Sequence, residues 1–233
     1  IYCDNATVQL LDTDLVGNSG ENGGAMQLQF CDLFSDGAFF SSNVSVSGGA
    51  IAAEFGELEL LDSVIEDNQA TERGGAIYAS TASLELTNSW LVENQALQGG
   101  SLYLEHTNTV CTGASSLDAG IELNSSSDGA IWLDDASVWL ADMCDLGTDA
   151  TDSNSPVDVY TESGFSYLAS DDASFSCSGG RCGTSLYYDI GGILVDSYSN
   201  NNAFRGNVYT VEGNPTLDQF EMEMSFTSCV FDF

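Results

Sequence analysis

The chain has 233 residues, 43% of them hydrophobic, enough for one large core or two modest ones. Its 36 acidic residues stand against three basic ones (Arg73, Arg181 and Arg205), one histidine and no lysine, for a formal net charge of -33. That field excludes nucleic acid as a partner, because phosphate contacts need a basic surface, and it disfavours an anionic membrane surface.

Such self-repulsion suits salt-rich or calcium-rich surroundings, where charges are screened. No stretch approaches the ~20 apolar residues of a membrane span, so no direct membrane insertion is expected. No signal peptide is present, as in a mature or trimmed chain.

The opening residues, "IYCDNATVQL", alternate in polarity and place Val8 and Leu10 on one face of a strand. A further short element ends in "LVGN" at Asn18. Gly23-Gly24-Ala25 then starts a second unit, which closes with "FSSN" at Asn43. Gly48-Gly49-Ala50 starts a third, with Leu58 and Leu60 in its second strand and "IEDN" ending at Asn68. Gly74-Gly75-Ala76 starts a fourth, with Leu84 and Leu86 and then "LVEN" ending at Asn94. Gly99-Gly100 starts a fifth, and a degenerate copy, "DGAIWL", follows from Asp128 with Val138 and Leu140 behind it. The glycine pairs recur at steps of 25, 26 and 25, the degenerate copy after 29. The first ten residues align without a gap on "IYASTASLEL", Ile1 on Ile77 and Leu10 on Leu86, so the chain is expected to be a fragment that begins in mid-repeat.

Period-two alternation without helical periodicity makes these segments strands. Three short strands and three turns in about 25 residues make one rung of a parallel β-helix. Rungs stack at the ~4.8 Å strand spacing, so equivalent residues lie above one another. Glycine supplies the unusual turn angle and lets rungs approach. Asn18, Asn43, Asn68 and Asn94 are expected to form a structural ladder, bonding turn backbone and one another.

The Gly-Gly-Ala-Ile and Phe-x-x-Asn pairing, literal at Phe40-Ser-Ser-Asn43, resembles the repeats of polymorphic outer-membrane proteins and, more widely, of secreted bacterial right-handed parallel β-helix proteins. The resemblance covers roughly residues 1–147. It implies an all-β, right-handed parallel β-helix of about five rungs in an extracellular or cell-surface bacterial protein, often an adhesin or structural protein. The domain reading is β-helix over 1–153, a β-rich closing segment over 154–196, and over 197–233 the start of an incomplete β-sandwich-like domain or a strand-exchange tail.

With Ile1, Met26, Ile51, Ile77, Leu102 and Ile131 pointing inward, the next residue of each rung points out. That column contains Tyr2, Tyr78, Tyr103 and Trp132, candidates for a glycan or partner face through ring stacking; aromatic residues also simply suit exposed strands. The loop "CDLGTDATDSNSPVD" offers Asp145, Asp149, Asp152 and Asp158 as oxygen ligands for calcium, although its spacing is not that of an EF-hand, and a solvated acidic loop is the plainer reading. Seven cysteines suggest an oxidising compartment. Cys177 and Cys182 flank a Gly-Gly turn and form the first candidate disulfide, Cys111 and Cys144 the second, while Cys3, Cys31 and Cys229 receive no partner.

Enzyme chemistry is not expected. A lyase acting on uronates needs basic residues that this chain lacks. Acid pairs such as Asp134 and Asp135 would serve a hydrolase, but with 36 acids no pair is informative. His106 is the only histidine, and no catalytic triad, zinc spacing or phosphate loop appears. Regular threonine columns of an ice-binding face are also missing. The leading reading is a secreted or surface structural or adhesive protein, with self-association into a filament as its sharper form. The alternative is a carbohydrate-active module working through Tyr78, Tyr103 and Trp132.

Overall fold

The computed structural model describes residues 1–113, 119–134, 136–141, 144–146, 153–156 and 158–161, and the strands 166–170, 186–190, 193–197 and 206–210. Every described element is a strand. The chain winds as a parallel β-solenoid of about six turns, each turn giving one strand to each of three sheets.

The first sheet stacks Tyr2–Asp4, Met26–Gln29, Ile51–Glu54, Ile77–Ser80, Leu102–Glu105, Ile131–Asp134 and Val159–Thr161. Its register confirms the columns expected from the repeat: Tyr2 lies opposite Gln27, Gln27 opposite Ala52, and so through Tyr78, Tyr103 and Trp132 to Tyr160. The second sheet begins with Thr7–Leu11 and runs through Asp32–Asp36, Glu57–Leu61, Ser83–Thr87, Asn108–Thr112 and Ser137–Ala141. The third carries Asp14–Val16, Phe39–Ser41, Val64–Glu66, Trp90–Val92, Ala119–Glu122 and Cys144–Asp145.

Alternation sends one apolar residue in two to the interior. Met26, Ile51, Ile77, Leu102 and Ile131 fill one column of the core, Leu58 with Leu84 and Leu60 with Leu86 two more, and Phe40, Ile65 and Leu91 a fourth. Ile1 is 54% exposed.

Strands end on residues with left-handed backbone. Asn5, Phe30, Phe55, Thr81 and His106 follow the first sheet with φ between 49° and 57°, a conformation that costs most side chains energy and that the tight corner imposes. His106 therefore holds a turn. The glycine pair divides its labour. Gly23, Gly48, Gly74 and Gly99 have φ from 61° to 66°. A methyl on the second glycine would strike the next rung: at Gly49 it would collide with the Gly75 carbonyl oxygen, and at Gly75 with that of Gly100.

Parallel stacking continues past residue 153. Val159–Thr161 pairs with Ile131–Asp134, and Ser166–Ser170 pairs in parallel with Ser137–Ala141 and with Leu186–Ile190. The second sheet then turns antiparallel through Ile193–Ser197 and Gly206–Thr210. Val159–Thr161 and Ser166–Ser170 thus each join the rung before them. Cys177, Cys182 and Cys229 lie outside the described residues.

Candidate functional site

The third corner of every turn carries an asparagine whose side chain bonds rung to rung. The Asn18 backbone N–H and its Nδ2 both donate to Asn43 Oδ1 at 2.9 Å. Asn43 makes the same pair of bonds to Asn68, Asn68 to Asn94, Asn94 to Asn124 and Asn124 to Asn154, at 2.9 to 3.1 Å. Each Nδ2 also reaches back to a carbonyl of the preceding rung: Asn43 to Leu15, Asn68 to Phe40, Asn94 to Ile65, Asn124 to Leu91 and Asn154 to Ile121. Asn43, Asn68, Asn94 and Asn124 are at most 1% exposed, so each buried amide finds its partners within the ladder. The four asparagines read from sequence are all in it. Asn124 and Asn154 were missed because the last two steps lengthen to 30 residues.

Among the described residues Asp158 is the last member of this ladder. It is 3% exposed, and its Oδ1 accepts from Asn154 Nδ2 at 2.9 Å, as the next asparagine does in every earlier rung. Its carbonyl accepts from the Ile131 N–H, a place held by the Ala50, Ala76, Ser101 and Ala130 carbonyls earlier in the chain. Of the four aspartates considered for calcium, Asp158 is thus turned inward and bonded to an amide, not presented on an open loop. Asp149 and Asp152 lie outside the described residues, and Asp145 is placed only as part of a strand. Among the described residues no three His, Cys, Asp or Glu side chains are grouped to hold a metal ion.

The aromatic column forms as expected, but it is not an open platform. Tyr2 is 63% exposed and Tyr78 half-buried, whereas Tyr103 and Trp132 are only 6% and 3% exposed. The glycine-rich corner packs over them: a methyl at Gly99 would lie 3.2 Å from Trp132 Cβ, and the Arg73 guanidinium sits 5.2 Å from the centre of the Tyr103 ring. The rings stack on one another instead, Tyr78 on Tyr103 and Tyr103 on Trp132 at 5.7 Å, and Trp132 on Tyr160 at 4.3 Å. This removes Tyr103 and Trp132 as sugar-stacking surfaces. The Tyr78 hydroxyl donates to Glu105 Oε2 at 3.0 Å. Burial, and then the neighbouring carboxylate, hold its phenol above the ordinary tyrosine range.

The outer face of the second sheet forms a shallow groove of about 270 Å³ containing Phe34, Asp32, Glu57, Glu59 and Glu85. Glu59 and Glu85 lie directly opposite each other, a like-charge arrangement suited to counter-ions. Two disulfides tie neighbouring rungs, Cys3 to Cys31 and Cys111 to Cys144. The second pair was a candidate from sequence. The first was not, although a separation of 28 residues is close to one rung.

Residues 62–80 match the Chlamydia polymorphic membrane protein (Chlamydia_PMP) repeat. That stretch is similar to a polymorphic membrane protein repeat. The matched stretch contains the Val64–Glu66 strand, the ladder residue Asn68, the Gly74-Gly75 corner and the Ile77–Ser80 strand, so it holds the residues that set the corners and the ladder. No curated protein and no solved structure matches the chain. The repeat points to a surface or outer-membrane repeat protein.

Proposed function

We propose that the chain is a structural or adhesive module of the cell surface, a stiff acidic rod that assembles end to end. The observation that supports this reading is the ladder from Asn18 to Asn154, in which each rung is held to the next by side-chain bonds as well as by three sheets. Such a stack resists separation of its rungs, because the ladder and sheet bonds that join two rungs must break together. The acidic exterior keeps rods apart sideways and directs contact to their ends. In this reading the chain is not an enzyme, and its partners are other copies or a cell-surface glycan. Calcium acts by screening the carboxylates. The carbohydrate-active alternative keeps only Tyr2 and Tyr78 as accessible rings.

Negative-stain imaging and light scattering of the purified chain, with calcium and then with a chelator, test the proposal. Long regular threads support assembly, and their loss on chelation assigns calcium a part in it. Single compact particles in both conditions contradict the filament reading.

A further inference from the structure

The stacked rings have a direction that the rod reading does not use. Trp132 and Tyr103 are buried, with ring centres 5.7 Å apart, and Tyr78 continues the stack at the same spacing. Rings this close exchange an electron without needing solvent or motion between them. The Trp132 Nε1–H is buried and has no hydrogen-bond partner. An indole oxidised there has no base to take its proton, so the hole stays mobile. At the other end the Tyr78 hydroxyl already donates to the Glu105 carboxylate at 3.0 Å. A phenol loses an electron readily only when its proton can leave at the same time, and Glu105 is positioned to receive it.

We propose that Tyr78 is a site of one-electron oxidation, fed from Trp132 through Tyr103 and completed by proton transfer to Glu105. The balance is simple. A one-electron oxidant of the inorganic radical class takes an electron from Trp132. Trp132 is restored by an electron that passes from Tyr78 across the intervening Tyr103 ring, which bridges the two and is not itself oxidised. The Tyr78 phenolic proton passes to Glu105 Oε2. The products are the reduced oxidant, a neutral tyrosyl radical at Tyr78 and a protonated Glu105. Tyr78 is half-buried, so the radical comes to rest at the surface, where a reductant or a second tyrosine can meet it. The oxidised equivalent is thereby drawn out of the buried stack.

The chain contains three tryptophans, so the test uses the full chain with Trp90→Phe and Trp139→Phe, which leaves Trp132 as the only indole. Azidyl radical generated by pulse radiolysis is the probe. The indolyl radical absorbance is expected to decay, at a rate independent of protein concentration, into that of a tyrosyl radical. Tyr78→Phe keeps the ring and its stacking, and it should lengthen the indolyl lifetime by about tenfold or more. Glu105→Gln keeps the phenol and should slow the transfer by about tenfold. Spin trapping followed by peptide mapping should find the adduct on Tyr78. Unchanged kinetics in Tyr78→Phe, or an adduct on another tyrosine, would overturn the proposal; circular dichroism confirms that each variant is folded.

Discussion

Asn154 donates from Nδ2 to the Asp158 carboxylate at 2.9 Å, taking from a residue four positions away what each earlier asparagine takes from the next rung. The bonds between the asparagine side chains all run the same way, each from Nδ2 to the Oδ1 of the next rung, and aligned hydrogen bonds polarise one another. A carboxylate at the donor end faces the positive end of that array and forms a charge-assisted bond. Its side chain has no N–H to pass on, and among the described residues it is the ladder's last member.

Removing this carboxylate should destabilise the solenoid. Asp158→Ala should cost about 1–3 kcal/mol, and Asp158→Asn, which keeps an accepting oxygen, distinctly less. Urea titration checks both. The losses should be the same in calcium and in chelator, because Asp158 is bonded to Asn154 and faces inward.

Position within the ladder should set the cost of losing an asparagine. Asn68 accepts from the Asn43 N–H and Nδ2 and donates to Asn94 Oδ1 and the Phe40 carbonyl while 1% exposed. Asn68→Ala strands several buried partners and should cost about 3–5 kcal/mol. Asn18 is exposed at the first rung, and Asn18→Ala should cost less than about 1.5 kcal/mol. Equal losses at both positions would show that the ladder is not cooperative.

The two glycine roles should separate by substitution. A methyl at Gly75 would meet the Gly100 carbonyl oxygen and the Gln95 nitrogen, both backbone. Gly75→Ala should therefore cost more than about 3 kcal/mol or prevent folding. Gly17 has a φ of 66° but nothing within 4 Å. Gly17→Ala should cost only the left-handed strain, about 1–2 kcal/mol. Thermal unfolding of the two variants side by side reads the difference.

Tyr78 should make stability fall at high pH. Its folded phenol titrates above the ordinary value of 10.0, chiefly through burial. Below that value both folded and unfolded forms keep the proton, and the contribution is complete. As pH rises beyond it, the unfolded chain releases its proton first, so unfolding is favoured increasingly until the folded phenol also ionises. The urea midpoint should drop as pH rises past 10.0 in the parent and drop less in Tyr78→Phe.

Much of the fold was legible because a solenoid repeats its constraints. Each Gly-Gly pair meets the same corner, and Asn18, Asn43, Asn68 and Asn94 announce the ladder by position alone. Legibility failed where the repeat changed length. Asn124 and Asn154 follow steps of 30 residues, so position alone does not announce them. The fate of the aromatic column was hidden for a different reason. Strand alternation sends Tyr103 and Trp132 outward correctly, but Arg73 and the Gly99 corner, on another part of the rung, cover them. Asp158 read as a loop ligand because its spacing from Asn154 matches no rung. Its inward turn follows from a shortened corner that only the three-dimensional path reveals.

The most direct test of the ladder is hydrogen exchange of asparagine side-chain amides, followed by NMR on the intact chain. The Nδ2 protons of Asn43, Asn68, Asn94 and Asn124 should exchange about a hundredfold or more slowly than those of Asn18 and Asn22, which are exposed. Exchange of the Asn68 side chain at the same rate as Asn22 would contradict the asparagine-laddered solenoid.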